Sequence, residues 1–286
     1  EFIKLALCLY LGVMVTTRQD AFLPGVDTWR RFRRLAGWIV APVLLAVALV
    51  LGGGDLGTVI VLALLVAGAL WMGGLGWRWF AALGVLGLGG FTLLSALSAN
   101  RRARIIAWWH PDGADPLDVG YQPKHGRWAL GTGNWWGVGP GSSRQKWGYL
   151  TQADSDYIFA VLGEEFGLIG TLIVIALFAV IGWCCMRIIR RSRSLYVSVV
   201  SGGVAAWIVG QAVINMCVVV GLLPVLGVPL PLISKGGSAL VSVLLAVGVL
   251  LALARHEPGA PEALRASGAA VRRTLAVIAP RRRNRA

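Results

Sequence analysis

The sequence predicts an all-α protein that crosses a membrane several times. Hydrophobic residues make up 57% of the 286 residues and charged residues only 14%, and the mean hydropathy is +0.71. The apolar residues gather into runs of roughly 17–25 residues, which is long enough to cross the hydrocarbon core of a bilayer. Helices are expected because lipid offers no partner for the open backbone groups of loops or sheet edges.

Seven spans are predicted in a transmembrane domain that covers residues 1–254. The fifth span is long enough to be tilted or to begin among the lipid headgroups. A loop over about 100–156 separates the fourth span from the fifth, and a basic tail covers 255–286. The predicted spans are about 2–17, 36–52, 56–75, 79–99, 157–185, 196–221 and 237–254.

The distribution of charge indicates which side of the membrane each loop faces. The chain has 27 Lys and Arg residues against 13 Asp and Glu residues, a net charge of +14. If the seven spans alternate, the basic clusters at 30–34, 187–193 and 255–286 share one side, which the positive-inside rule assigns to the cytoplasm. The segments 100–156 and 221–236 then face outside. This sorting argues against nucleic acid as the partner of the basic residues.

Asp156 is the most informative residue of the sequence. It stands where a loop rich in Trp and Gly runs into the long fifth apolar run. A carboxylate at the boundary between a wet loop and hydrocarbon is costly unless it has a partner or a task. Asp156 is therefore expected to have a partner or a task, and the side of the membrane that the loop faces decides which task is possible.

The loop before Asp156 carries cations and glycines that could receive an anionic ligand. Arg101 and Arg102, followed by Arg104, either snorkel to lipid phosphates or clamp a phosphorylated lipid with bidentate contacts. The glycines over 131–141 form either a flexible loop or a backbone that a bulky headgroup can approach. The donors that follow these glycines are Ser143, Arg144, Gln145 and Lys146.

Charged residues are also expected at the outer ends of two spans. Glu1 and Lys4 lie one helical turn apart, so they either neutralise each other or line a cavity. Asp55 lies between two spans, where a helix N-cap is the simple interpretation.

The segment 211–240 supplies a further candidate binding surface. Gln211 and Asn215 are one turn apart and share a helix face, and three prolines then break the chain on the outer side. The last span opens with residues whose free N–H groups form either an anion site or an ordinary N-cap. These residues are Ser234, Lys235, Gly236, Gly237 and Ser238. All the candidate clusters fall on the same side of the membrane, whereas residues with unrelated structural roles would be spread over both sides. This favours a shared function for the clusters.

The chain resembles the SEDS family of bacterial cell-wall membrane proteins, which includes FtsW and RodA. The SSRQK loop and the ARHEP ending are more similar to the FtsW branch than to RodA. Family members have ten spans, so the first three are expected to be missing from this sequence. The matching segments, in family order, are EFIKLAL (1–7), DLGT (55–58), GVGPGSSRQKWGYL (137–150), DSDYIFAVLGEEFG (154–167), QAVIN (211–215), GLLPVLGVPLPLISKGGS (221–238) and ARHEP (254–258).

Three positions depart from the usual family pattern. Asp154 stands where His or Asn is common, Lys235 where Tyr or another residue is common, and Gly54 where Pro usually precedes the Asp. These differences could alter loop contacts, but they leave Asp156 in place.

The resemblance implies a peptidoglycan glycosyltransferase that polymerises lipid II during cell division, at the outer face of the bacterial cytoplasmic membrane. The functional Asp of the family falls on Asp156, and its Glu and Lys fall on Glu1 and Lys4. Asp156 is expected to act as general base in an inverting transfer with undecaprenyl pyrophosphate as leaving group. Arg101, Arg102, Lys146 or a divalent cation, Mg²⁺ or Mn²⁺, would stabilise the departing charge. The sequence itself shows no metal-ligand cluster.

The resemblance also implies partners, and two other functions stay open. The expected partners are a class B penicillin-binding protein, which is a transpeptidase, and other division proteins. A lipid II flippase is one alternative, although it needs a polar path through both leaflets and the inner halves of the spans carry almost no ionisable residues. A division scaffold without chemistry is the other alternative.

Overall fold

The computed structural model describes residues 1–19, 36–111, 119–150, 152–255 and 257. Within these ranges the chain forms helices joined by turns, without a strand. The predicted basic tail lies outside the described residues except for Arg255 and Glu257. The helices are α1 (Phe2–Thr17), α2 (Ala41–Gly52), α3 (Leu56–Met72), α4 (Trp77–Ala96), α5 (Ala99–Trp109), α6 (Tyr121–Gly133), α7 (Ile158–Arg191), α8 (Leu195–Val219) and α9 (Gly237–Ala254).

Each predicted span coincides with an apolar helix, and four of these helices are long and apolar enough to cross a membrane. These four are α4, α7, α8 and α9. The other three are shorter: α1, α3, and α2 with the turn of π-helix that precedes it over Ala36–Val40. The chain therefore has the helical architecture of a polytopic membrane protein.

The predicted loop over 100–156 contains two helices, α5 and α6, that the sequence analysis did not identify. Polar residues, Trp and Gly dominate this segment, and its short helices lack the long apolar run of a span. In α5, arginines and apolar residues instead alternate at helical spacing. Pro123 is tolerated in α6 because it lies in the first turn, where its missing N–H would have no partner within the helix.

Helix α8 forms the centre of the bundle and packs most closely on α3. A Cβ atom added to Gly68 would lie 2.7 Å from the carbonyl oxygen of Gly202, so two glycines allow the helices to approach. Small residues at such contacts are typical of packed membrane helices. Trp207, one of the largest fully buried side chains, lies on the same helix. This packing fixes the end of α8 that carries Gln211 and Asn215.

Helix α7 is broken at Gly167, where φ is 68° and ψ is −164°. The segment that follows α6 replaces the lost helical hydrogen bonds. The amides of Val138 and Gly139 donate to the carbonyls of Glu164 and Glu165 at 2.9 and 3.1 Å, and the amide of Leu168 donates to the Asn134 carbonyl at 2.9 Å. Non-helical backbone in a membrane protein is tolerated where protein buries it in this way.

Candidate active site

A cavity of about 170 Å³ opens at one end of the bundle, where α3 and α7 begin and α8 ends. We call this the Asp156 end. Asp55, at the start of α3, forms one wall of the cavity. Arg101 and Arg104 of α5 form a second wall, and the extended segment 224–227 forms a third. The cavity therefore combines a carboxylate, two cations and an apolar segment.

Asp156 does not itself line the cavity, but its carboxylate lies beside Gly227, the last residue of the wall segment 224–227. Its Oδ2 atom would be 3.6 Å from a Cβ atom added to Gly227, whose φ is +69°. The positive φ favours glycine at this position, and the Asp156 carboxylate lies within van der Waals contact of it. Asp156 is half-buried and precedes the first residue of α7. The carboxylate predicted from the sequence is therefore adjacent to the cavity.

The surroundings of Asp156 raise the pKa of its carboxyl group. Burial is the largest cause, and the negative charge of Asp55 raises the pKa further. A hydrogen bond from Ser155 and the positive charge of Arg104 act in the opposite direction. A carboxylate with a raised pKa accepts a proton more readily at neutral pH than an ordinary Asp does, which suits a general base.

The two arginines of the cavity are one helical turn apart on α5. The guanidinium of Arg101 donates to the carbonyl of Gly54 at 2.9 Å and to that of Leu94 at 3.4 Å, so its position is fixed by backbone atoms. Arg102, which the sequence analysis paired with Arg101, is exposed and does not line the cavity. Arg104 takes that place, because residues three apart share a helix face and adjacent residues do not.

Asp55 caps helix α3, as the simple interpretation of its position predicts. Its Oδ1 accepts a hydrogen bond from the Thr58 amide at 2.8 Å, and its Oδ2 accepts from the Thr58 hydroxyl at 2.6 Å. The same carboxylate lines the cavity. Capping and charge placement are therefore combined in one residue.

Asn215 joins Asp156 to the cavity wall. Its side-chain amide donates to the backbone carbonyls of Asp156 and Val228, both at 2.7 Å. Ser234 adds a second connection, because its hydroxyl donates to the Ser155 carbonyl at 2.7 Å. The backbone around Asp156 is thus held by side chains from α8 and from the segment before α9.

Lys4, Glu1 and Gln211 form a buried polar network at the same end. The Lys4 ammonium lies 2.8 Å from a carboxylate oxygen of Glu1 and donates to the Gln211 amide oxygen at 3.1 Å. Gln211 also accepts from the Trp207 indole at 3.0 Å and donates to the Pro229 carbonyl at 2.8 Å. These groups bind one another and, through Pro229, the backbone just after the wall segment 224–227.

The other residues predicted at the start of the last span lie near Asp156 in the chain fold but outside the cavity. The Lys235 amide donates to the Asp154 carbonyl at 2.8 Å, and its exposed ammonium lies 3.3 Å from the Asp154 carboxylate. Gly236 is the N-cap of α9, and Gly237 and Ser238 are exposed at its start. None of them lines the cavity.

Ser143, Arg144 and Lys146 belong to a different cluster, built around Glu164 and Glu165. The carboxylate of Glu164 is buried and accepts from the Ser143 hydroxyl at 2.5 Å and the Arg144 amide at 3.0 Å. Lys146 forms an ion pair with Glu165 at 2.5 Å, and the Arg144 side chain is exposed. The structure therefore places these three residues away from the cavity. The signal the sequence analysis missed is the pair of carboxylates in GEEFG (163–167).

A metal site built by protein side chains alone is not seen in the described residues. These residues contain no group of three or more His, Cys, Asp and Glu side chains that could hold a metal ion. The cavity offers the Asp55 carboxylate, and the Asp156 carboxylate lies next to the cavity, beside Gly227. A divalent cation would need further ligands from a bound substrate.

Comparisons with known proteins identify the family. A sequence model of the FtsW/RodA/SpoVE family, described as cell cycle proteins, matches residues 1–258. A Mycobacterium tuberculosis protein named probable peptidoglycan glycosyltransferase FtsW is 38% identical over 80% of this chain and 43% of its own length. Stage V sporulation protein E of Bacillus subtilis is 37% identical over 90% of this chain and 68% of its own length. This chain thus spans less than half the length of the mycobacterial relative.

A solved structure has the same fold. It was described in work on the structural coordination of polymerization and crosslinking by a peptidoglycan synthase complex. The TM-score is 0.68 with 23% sequence identity, over 88% of this chain and 68% of that chain. The family match over residues 1–258 confirms the resemblance predicted from the sequence motifs: the chain belongs to the FtsW/RodA/SpoVE family of cell cycle proteins.

Proposed function

We propose that this chain carries the active site of a peptidoglycan glycosyltransferase that polymerises lipid II during cell division. The names of the FtsW relatives support the activity. The observation that carries the proposal is the half-buried Asp156 carboxylate, which lies against Gly227 beside a cavity that also contains Arg101 and Arg104. This arrangement offers a base on one side of a bound substrate and two cations on another.

In the proposed reaction, Asp156 removes the proton from the 4-hydroxyl of the acceptor sugar. The freed oxygen attacks the anomeric carbon of the donor and forms the new glycosidic bond. The bond from that carbon to the pyrophosphate breaks, and its electron pair leaves with undecaprenyl pyrophosphate. The anomeric centre is inverted in this single displacement. A base in position contributes about 10²–10⁴-fold in rate.

Arg101 and Arg104 are suited to stabilise the leaving group. Guanidinium groups match the geometry of phosphate oxygens, and both line the same cavity. A developing negative charge is stabilised best by groups already in position, and the Gly54 and Leu94 carbonyls hold Arg101.

A divalent cation fits the cavity only if the substrate shares it. Mg²⁺ is commonly held by one or two carboxylates together with substrate phosphates. Asp55 and Asp156 could supply the carboxylates, and a bound pyrophosphate the remaining oxygens. Chelation with EDTA, followed by addition of Mg²⁺ or Mn²⁺, tests whether polymerisation needs such an ion.

We further propose that the Asp156 end faces the outside of the cytoplasmic membrane, where lipid II is consumed. The basic residues at the opposite end of the bundle support this orientation. A class B penicillin-binding protein is the proposed partner, with other division proteins, and the solved structure of a complex for polymerization and crosslinking supports that pairing.

A flippase is less well supported than a polymerase. In the described spans, the buried side chains that ordinarily carry a charge are Lys4 and Glu164, and both lie towards the Asp156 end. A transport path would need polar groups along the whole span. The test is polymerisation of labelled lipid II by the purified full-length protein in detergent with its partner, where no bilayer remains to be crossed. Glycan strands on a gel would support the polymerase, and their absence from an otherwise folded complex would contradict it.

A further inference from the structure

The last turns of α7 carry an open groove that the proposed reaction does not use. The groove has a volume of about 620 Å³. Its lining residues recur every three or four positions and therefore form one stripe along the helix. They are Trp183, Met186, Arg187, Arg190 and Arg191. We call this the α7 arginine groove.

The α7 arginine groove lies far from the candidate active site. The helix from Leu168 to Arg191 is about 36 Å long at about 1.5 Å per residue. That length exceeds the hydrocarbon core of a bilayer, which is about 30 Å thick. Asp156 lies before the start of α7 and the groove at its end, so the two occupy opposite sides of a membrane that α7 crosses.

The arginines of the groove have no carboxylate partner in the part of the chain that the structure describes. The ion pairs there join Lys4 to Glu1, Lys146 to Glu165 and Lys235 to Asp154. Arg187, Arg190 and Arg191 are all exposed. The guanidinium of Arg187 lies 5.9 Å from the centre of the Trp183 ring, so the stripe contains a cation stacked near an aromatic ring.

Towards the middle of α7 the same stripe becomes entirely apolar and stays exposed. Val180 is 52% exposed, Ile173 is 55% exposed, and Ala176 lies between them on the same face. Trp183, 62% exposed, stands where the basic part meets the apolar part. Tryptophan prefers this position at the boundary between headgroups and hydrocarbon. A ligand that fits the whole stripe is therefore anionic at one end and long and apolar at the other.

We propose that the α7 arginine groove binds an anionic phospholipid of the surrounding bilayer. The phosphate contacts Arg187, Arg190 and Arg191, the glycerol lies against Trp183, and an acyl chain follows Val180 towards Ile173. Arginine forms bidentate hydrogen bonds with phosphate, and basic pockets beside membrane helices are suited to anionic headgroups. An acidic peptide would pair with the arginines but would leave the apolar stripe uncovered. This proposal does not depend on the glycosyltransferase activity.

Native mass spectrometry of the purified full chain tests the proposal with two lipids, phosphatidylglycerol and phosphatidylcholine. The triple variant R187Q/R190Q/R191Q is compared with R78Q/R193Q/R255Q, which removes the same charge from exposed arginines outside the groove. We expect the groove variant to retain at least roughly tenfold less phosphatidylglycerol than wild type, because it loses the charge-assisted hydrogen bonds of three guanidinium groups to one phosphate. The control should match wild type. Equal loss in both variants, or equal retention of phosphatidylcholine by wild type, would overturn the proposal.

A second measurement identifies the occupant in intact membranes. Met186 is replaced by the photo-crosslinking residue p-benzoylphenylalanine, which reacts with whatever lies in the groove. A lipid adduct of the mass of an anionic phospholipid supports the proposal. A protein adduct at this position would show that a partner protein occupies the groove and would overturn it.

Discussion

The side-chain amide of Asn215 donates hydrogen bonds to the backbone carbonyls of Asp156 and Val228, both at 2.7 Å. One side chain of α8 thus sets the position of the proposed base relative to the wall that contains Gly227. Asn215 therefore positions the Asp156 backbone, a role that its place on one face of α8 does not by itself predict. The two hydrogen bonds also mean that the base and the wall move together if α8 shifts.

Replacing Asn215 by Ala should lower polymerisation roughly tenfold while the protein still folds. The buried Val228 carbonyl loses its donor, which costs about 1–3 kcal/mol, and the part-buried Asp156 carbonyl loses the bond that ties it to α8. The rate with lipid II at saturation should fall more than the apparent affinity. Ser234→Ala, which removes a single bond to the Ser155 carbonyl, is the matched control and should have a smaller effect. An Asn215→Ala enzyme with a wild-type rate would show that Asn215 has no positioning role.

The acid limb of the activity profile should report the pKa of Asp156. The base acts in its deprotonated form, so the rate rises as the pH rises through that pKa. The charge of Asp55 raises the pKa and that of Arg104 lowers it. Asp55→Asn should therefore move the acid limb to lower pH, and Arg104→Gln should move it to higher pH. Asn keeps the helix cap, which makes the first change a clean test of charge.

Initial rates of lipid II polymerisation over a pH series measure these two shifts. If the acid limb moved in the same direction in Asp55→Asn and Arg104→Gln, protein stability rather than charge would control the pH profile. An unchanged limb in both variants would indicate that Asp156 does not titrate in the observed range.

Gly227→Ala should impair activity more than stability. A residue with a Cβ at φ +69° is strained by about 1–2 kcal/mol, and the new Cβ would lie 3.6 Å from the Asp156 carboxylate. Gly221→Ala is a matched control, because its φ of +86° imposes a similar strain and its nearest neighbour is Arg127. Thermal unfolding should show similar losses for both variants, whereas polymerisation should fall further in Gly227→Ala. Equal activities would show that a methyl group in contact with the Asp156 carboxylate does not disturb the proposed base.

Lys4→Met should destabilise the protein far more than Lys235→Met. The Lys4 side chain is only 2% exposed, and its loss leaves Glu1 and Gln211 without their cation, which costs about 3–5 kcal/mol for a buried pair. The Lys235 side chain is 81% exposed, and such surface pairs contribute about 0–1 kcal/mol. Thermal unfolding in detergent measures both. Similar melting temperatures for the two variants would show that the network around Lys4 is dispensable.

The sequence predicts the parts of the fold that depend on local pattern and misses those that depend on long-range contact. The spans follow from apolar runs, and Asp55 as an N-cap follows from its place before α3. Arg104 rather than Arg102 lines the cavity because residues 99–109 form the helix α5. The composition of this segment is typical of a loop, so the sequence did not predict that helix. Ser143 and Lys146 were predicted near the substrate because no local pattern shows that Glu164 and Glu165 bind them. The contact between Asp156 and Gly227 likewise joins distant parts of the chain.

The assignment of Asp156 as the base is tested most directly by two substitutions in the purified full-length protein with its partner. Asp156→Asn keeps the shape of the side chain but removes the proton acceptor, whereas Asp154→Asn changes an exposed carboxylate two residues earlier. We expect lipid II polymerisation to fall by about 10²–10⁴-fold in Asp156→Asn and to stay near wild type in Asp154→Asn. Polymerisation by Asp156→Asn at the wild-type rate would contradict the account.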